Sequence, residues 1–294
     1  MSYGMPPGEP AAPPVCPRHP DRVSYVRCQR CGRPACAECQ RPAPVGIHCV
    51  DCVRELSAAP VRTRYGAAVR TAGAPIVTWS IIALCVLVYA LQWLIPNDEV
   101  YQDFAYATAL TEVEPWRMFT SAFLHSQGFF LHIVLNMYTL WIFGRVLEPA
   151  LGRARYLAVY VISALGGSVG FFLLTPVSMN GVIGASGAIF GLFGALFVVV
   201  RQRGGDVTQL VVLIAINAAL GFMVQGIAWQ AHLGGLIAGG LTTAAIAYAP
   251  RGRYQLAVQI GGMVLVVAIL VVITLVRMNA VGGSLPTSSD VSNI

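Results

Sequence analysis

Seven stretches of apolar sequence, each close to the length that crosses a bilayer, constrain this chain more than any other feature. They run at about 75–95, 131–148, 155–175, 182–200, 207–224, 228–248 and 256–277. A membrane helix takes roughly 20 predominantly apolar residues. Backbone N–H and C=O groups in hydrocarbon must find partners within their own segment, so unbroken runs of this length predict helices. The second stretch is the least apolar, interrupted by His132, Asn136 and Arg145. The chain is 56% hydrophobic and only 11% charged. That excludes a disordered chain and argues against an ordinary soluble enzyme, where charge runs near 25%.

Charge placement gives an orientation. The net charge of +6 comes from 19 basic residues, all of them arginine, against 13 acidic ones. In so apolar a chain, such a balance points to membrane loops and away from nucleic acid. Arg153 and Arg155 lie between the second and third stretches, Arg201 and Arg203 between the fourth and fifth, and Arg251 and Arg253 between the sixth and seventh. The alternate connections are nearly free of arginine. The long one, 96–130, carries Asp98, Glu99, Asp103, Glu112 and Glu114 with Arg117 alone. Arginine-rich loops stay cytoplasmic. The expectation is therefore a multi-pass protein of the cell membrane with its N-terminus in the cytoplasm and its C-terminus outside it.

Before the first apolar stretch the composition changes. Residues 1–14 are rich in Pro, Gly and Ala and read as a disordered leader without the layout of a signal peptide. Seven of the eight cysteines lie between Cys16 and Cys52. With His19 they form four pairs: Cys16-x2-His19, Cys28-x2-Cys31, Cys36-x2-Cys39 and Cys49-x2-Cys52. Each pair grips an ion from one tight turn, and eight ligands suit two tetrahedral Zn²⁺ ions. The short gap between Cys31 and Cys36 favours interleaving, first pair with third and second with fourth. His48 is an alternative ligand to Cys49. A disulfide framework is the competing use of these residues, and a cytosolic location argues against it. Some 40 residues bury too little to fold unaided, so the metal is expected to fold them. Eight filled positions leave no open coordination site, which implies binding or regulation and no chemistry at the metal. The segment resembles the B-box class of small zinc domains in its pair pattern. The expected organisation is a leader (1–14), a zinc domain (15–53), a linker (54–74), a membrane core (75–250), a seventh helix (251–277) and a disordered tail (278–294).

Polar groups inside a bilayer are costly, which makes them functional candidates. Ser186 lies in Gly184-Ala185-Ser186-Gly187 near the start of the fourth stretch. His232 lies in His232-x2-Gly235-x3-Gly239 near the start of the sixth. His132 and Asn136 lie one turn apart near the start of the second. In the expected topology these three stretches run in the same direction, so all four residues share one depth near the outer surface. A serine hydroxyl needs a base to take its proton, and histidine titrates in the right range. His132, Asn136 and the Ser186 N–H are candidate donors to an oxyanion. No acidic residue sits at that depth in the fourth or sixth stretch, so a Ser–His dyad is expected instead of a triad. Small-residue stripes, Gly187/Gly191 and Gly235/Gly239, permit the close helix approach that a Ser–His bond requires. Phe190, four residues after Ser186, is placed to wall the site or stack on His232.

These features together resemble the rhomboid intramembrane serine proteases over residues 75–250. The resemblance rests on Trp116-Arg117 in the long loop, His132-x3-Asn136, Gly144 with Glu148, Gly184-Ala185-Ser186-Gly187, and His232-x2-Gly235-x3-Gly239. It implies an all-α polytopic membrane protein with a six-helix catalytic core and one additional C-terminal helix. It implies Ser186 as nucleophile, His232 as general base, and His132 and Asn136 as oxyanion donors, with no cofactor for catalysis. Phe190 stands where some members carry a tyrosine. Trp116 and Arg117 read as interface anchors, the tryptophan at headgroup depth and the arginine reaching phosphates. The expected activity is cleavage of other membrane proteins within or beside a transmembrane segment, near the outer face. A cytosolic protein is the expected partner of the zinc domain. The alternative is an inactive relative that binds clients without cutting them, with the zinc domain as its main interaction module.

Overall fold

The computed structural model describes residues 12–58, 63–67, 74–224 and 226–282. Most of the expected leader and tail lie outside the described residues. The chain divides into two compact units, Met1–Val61 and Arg62–Ile294.

The first unit is built from two short antiparallel hairpins and one helix. Strands β1 (Val15–Cys16) and β2 (His19–Val23) pair Cys16 with His19. Strands β3 (Gln40–Pro42) and β4 (Ile47–Cys49) pair Gln40 with Cys49. Helix α1 (Val50–Ala58) follows directly. It carries Cys52 and runs past residue 53, so the segment expected to begin a linker starts as helix. The interior consists of Cys16, Cys28, Ala35, Cys36, Cys39, Cys49 and Cys52, with Ile47 and Val50 against it. So few apolar carbons cannot offset the ordering entropy of the chain.

The second unit is a helix bundle. Its long helices are α2 (Ile76–Leu94), α5 (Leu131–Leu151), α6 (Arg153–Leu174), α7 (Ser186–Gln202), α8 (Thr208–Met223), α9 (Trp229–Ala247) and α10 (Gln255–Val281). Two short helices, α3 (Glu99–Phe104) and α4 (Arg117–Thr120), lie in the connection from α2 to α5. By length and composition, α2, α6 and α10 suffice to cross a membrane, and α7 and α8 are shorter apolar helices. Large apolar side chains face outward along these helices, among them Leu84, Leu87, Val212, Ile216, Val264 and Val272. Glycine, alanine, serine and threonine fill much of the interior. Where lipid takes the place of water, this is the stable arrangement.

The centre of the bundle is α9 between α6 and α7. A Cβ added to Gly235 would fall on the Gly187 carbonyl, one on Gly239 on the Gly191 carbonyl, and one on Gly194 beside Gly240. These contacts advance together along both chains, so α7 and α9 run parallel. Gly166 abuts Ala238 and Gly170 abuts Gln230, so α6 runs antiparallel to α9. Parallel packing puts the first residues of α7 and α9 at one end of the bundle. Arg201 and Arg203, at the end of α7, and Arg251 and Arg253, after α9, lie toward the other.

Two buried polar devices hold the outer helices. Glu148 accepts the backbone N–H of Val77 (3.0 Å), the N–H of Thr78 (2.9 Å) and the Thr78 hydroxyl (2.8 Å). It thereby takes up free N–H groups at the start of α2, where a negative charge is favoured. Gly144, one turn earlier, leaves the space that Thr78 fills. At the arginine-rich end, the fully buried Tyr65 donates its hydroxyl to Gln202 at 3.0 Å, and Gln259 donates to the Tyr65 carbonyl at 3.2 Å. Residues 63–67, expected as linker, are thus fastened to the bundle.

Other boundaries also differ from expectation. The fourth apolar stretch becomes helical only at Ser186, because residues before it are drawn elsewhere. Val182 bridges Tyr106 through two backbone bonds of 2.7 and 3.2 Å, and the Gly184 N–H bonds the Ser121 carbonyl at 2.9 Å. Helix α10 extends to Val281 and takes in the first residues of the expected tail. Arg117 does not reach outward to phosphates. It is 7% exposed and bonds Glu114 and the carbonyls of Gln102 and Ala105, which ties the α3–α4 loop together. Trp116 remains half exposed.

Candidate functional site

In the first unit, Cys16, His19, Cys36 and Cys39 form one group and Cys28, Cys31, Cys49 and Cys52 another. The ligand atoms within each group lie within 4.8 Å of one another. The sequence pairs therefore interleave, and Cys49 joins a group where His48 does not. Tetrahedral zinc at about 2.3 Å from sulfur and 2.0–2.1 Å from nitrogen sets ligand separations of about 3.5–3.8 Å. Cys31 Sγ lies 3.8 Å from Cys49 Sγ, and His19 Nδ1 lies 3.3 and 3.4 Å from Cys36 and Cys39 Sγ. The residues fit the ion. His19 Nε2 lies 3.8 Å from Glu38, a carboxylate placed to orient a ligating ring. The Arg22 guanidinium bonded to Glu38 holds that carboxyl below its usual pKa range, and Arg18 does the same for Asp51.

In the second unit, Ser186 is the first residue of α7 and His232 the fourth of α9. Ser186 Oγ lies 2.9 Å from His232 Nε2. The parallel glycine contact of α7 and α9 makes this separation possible. The Phe190 ring, one turn below Ser186, stacks on the His232 imidazole at 4.1 Å between centroids and 8° between planes. His232 Nδ1 is buried with no hydrogen-bond partner among the described residues. The ring is therefore oriented by the Phe190 stack from its face and by Ser186 from its edge, with no carboxylate bonded to Nδ1 among the described residues.

His132 approaches from α5. A Cβ on Gly184 would sit 2.7 Å from His132 Nε2 and 3.8 Å from Ser186 Oγ, so the imidazole edge lies against the chain just before Ser186. Gly184 has φ +122°, a second reason for glycine there. The Ser126 N–H donates to His132 Nδ1 at 3.2 Å. With Nδ1 as acceptor, the neutral ring carries its proton on Nε2 and presents a donor beside Ser186. Asn136 is buried one turn along α5, and its Nδ2 donates to the His132 carbonyl at 2.7 Å, leaving the second amide proton for another acceptor. The Ser186 N–H belongs to the first turn of α7, where backbone donors have no intrahelical partner.

Sequence reasoning passed over Gln92 and gave His125 no role. Gln92, near the end of α2, is buried and bonds the backbone of His125 in both directions, at 3.0 and 3.1 Å. A polar residue in the last turn of an apolar helix was the available signal. The His125 ring lies 5.1 Å from that of His132. A cavity of about 240 Å³ opens beside them, lined chiefly by polar residues including Gln92, Asp98, Tyr101, Ser126 and Gln127.

Comparison with known proteins identifies a Rhomboid domain over residues 112–249. The chain is 33% identical over 201 residues to "Rhomboid protease GluP" of Bacillus subtilis, a match covering 64% of this chain and 38% of that protein. It is 34% identical over 154 residues to "Putative rhomboid protease YdcA" of Bacillus subtilis, covering 51% of this chain and 76% of that protein. It is 30% identical over 173 residues to "Rhomboid protease GlpG" of Klebsiella pneumoniae, covering 55% of this chain and 60% of that protein.

Proposed function

This chain belongs to the rhomboid family, and from that premise we propose that it is an intramembrane serine endopeptidase acting on transmembrane or juxtamembrane segments of other membrane proteins. The observation that carries the proposal is the 2.9 Å approach of Ser186 Oγ to His232 Nε2 at one end of the bundle. His232 Nε2 takes the serine proton as Oγ attacks the scissile carbonyl. The oxyanion that forms accepts from His132 Nε2–H, the free amide proton of Asn136 and the Ser186 N–H. His232 then protonates the leaving amine, the C–N bond breaks, and the acyl group remains on Ser186. Water, deprotonated by His232, then attacks the acyl carbonyl. The ester C–O bond to Ser186 breaks, His232 returns the proton to Ser186 Oγ, and the product acid leaves. The polar cavity beside His125 and Ser126 is the route we assign to water.

A substrate helix keeps its carbonyls bonded internally. Attack therefore requires local unwinding, and the preferred segments contain small or helix-weakening residues near the membrane surface. With the arginine-rich end in the cytoplasm, the dyad opens toward the outer face, the N-terminal unit is cytosolic and the C-terminus lies outside. In this reading the cysteine clusters hold two structural Zn²⁺ ions in a B-box-like domain that binds a cytosolic protein and takes no part in the chemistry. The test is cleavage of a tagged membrane substrate by wild type, Ser186→Ala and His232→Ala. Both variants are expected to lose cleavage, and a client-binding protein without activity would show none in any of the three.

A further inference from the structure

We infer that Gln92 is a positioning residue for the oxyanion donor His132, acting through the backbone of residues 125–126. The inference rests on the reading of His132 as that donor. A primary amide in an apolar helix is costly to bury unless its hydrogen bonds are made. Gln92 makes them all to one short loop. Its Oε1 accepts the His125 N–H at 3.1 Å, and its Nε2 donates to the His125 carbonyl at 3.0 Å. The Gln92 backbone carbonyl accepts Gln127 Nε2 at 2.9 Å. His125 is thus held on both of its peptide groups, as a residue is held in a strand ladder.

The next peptide N–H, that of Ser126, donates to His132 Nδ1. This bond decides which nitrogen of His132 carries the proton. Losing it frees the ring to place a proton on Nδ1 and turn its lone pair toward the oxyanion, which repels instead of stabilising. Gln92 touches neither Ser186 nor His232 by any hydrogen bond in the structure. Its effect on the reaction passes through the direction of the Ser126 N–H.

The experiment compares wild type, Gln92→Met, Gln92→Glu, His132→Ala and the Gln92→Met/His132→Ala double variant. It reads kcat and KM on one transmembrane substrate. It also reads the His132 tautomer by nitrogen NMR of ¹⁵N-histidine-labelled protein, assigned by difference from His132→Ala. Removing one oxyanion donor outright costs about 100- to 1,000-fold in kcat. Gln92→Met is expected to lower kcat about tenfold with KM within about twofold, and to mix the His132 tautomers. Gln92→Glu keeps an acceptor for the His125 N–H but turns a second acceptor on the His125 carbonyl, and is expected to lose at least as much kcat as Gln92→Met. In the His132→Ala background, Gln92→Met is expected to add nothing, since the two act as one unit. A full further loss in that background overturns the inference. So does a wild-type His132 that carries its proton on Nδ1, a measurement that needs no variant to fold. If His132→Ala keeps the wild-type kcat, the oxyanion reading itself fails. If His132→Ala is slow while Gln92→Met is not, only the role of Gln92 fails.

Discussion

Adding one methyl group to α6 tests whether helix spacing sets the chemistry. A Cβ on Gly170 would lie 2.7 Å from the Gln230 carbonyl oxygen, 2.8 Å from Gly234 Cα and 3.1 Å from Gly234 N. All three are backbone atoms of α9, two residues to either side of His232, so no side chain can swing aside. Ordinary contact between such atoms begins near 3.5 Å, so α9 must retreat by about 0.7 Å. The Ser186–His232 separation of 2.9 Å has little tolerance before the bond weakens. Misplacement by 1 Å costs up to about 100-fold, and overpacking costs about 1–3 kcal/mol of stability. Gly170→Ala is therefore expected to fold, to unfold at lower temperature, and to cleave a transmembrane substrate about 10- to 100-fold more slowly. Gly261→Ala is the control, because an added Cβ on that residue of α10 meets nothing within 4 Å. It is expected to cleave within about twofold of wild type, since surface changes of this kind are nearly neutral. The assay is the rate of product appearance in proteoliposomes beside thermal unfolding in detergent. A folded Gly170→Ala with wild-type cleavage would refute the claim that glycine contact places the dyad.

Other perturbations act on separate parts of the molecule. Glu148→Gln leaves three donors at the start of α2 without their charged acceptor. It is expected to lower stability by about 1.5–3 kcal/mol, read from unfolding in detergent. Phe190→Ala removes the ring stacked on His232. A stacking interaction of about 0.5–1.5 kcal/mol corresponds to a loss of about two- to tenfold in kcat, with Phe190→Tyr close to wild type. Metal analysis is expected to give two zinc ions per chain and Cys28→Ser only one. Chelation is expected to unfold the first unit while cleavage by the second persists.

Among the described residues, length and hydropathy alone mark α2, α6 and α10 as able to cross a membrane and α7 and α8 as shorter apolar helices, and most ends of the long helices fall within a few residues of the expected runs. The start of α7 was not legible in this way. Val182 and Gly184 are as apolar as the helix they precede, but Tyr106 and Ser121, far off in sequence, claim their backbone groups. The alignment of Ser186, His232 and His132 followed from counting along stretches that share a direction. The glycine contacts that bring α7 and α9 together were visible as spacing. What spacing does not carry is the return path of a loop. The Gln92–His125 pairing joins residues 33 apart, and the Tyr65–Gln202 bond joins residues 137 apart. Arg117 looked like an anchor because arginine in a membrane loop usually faces phosphates. Glu114, three residues before it, turned it inward as a structural tie. In the first unit, the cysteine pairs revealed their interleaving through a gap too short for consecutive pairing.

The central claim is that His232 activates the Ser186 hydroxyl. The most direct measurement is the rate at which a serine-reactive fluorophosphonate labels the protein in native membranes. Wild type is expected to label at Ser186, Ser186→Ala not at all, and His232→Ala at least 100-fold more slowly, at about the loss expected for removing a general base. Labelling of His232→Ala at the wild-type rate, or of wild type at a residue other than Ser186, would contradict the account.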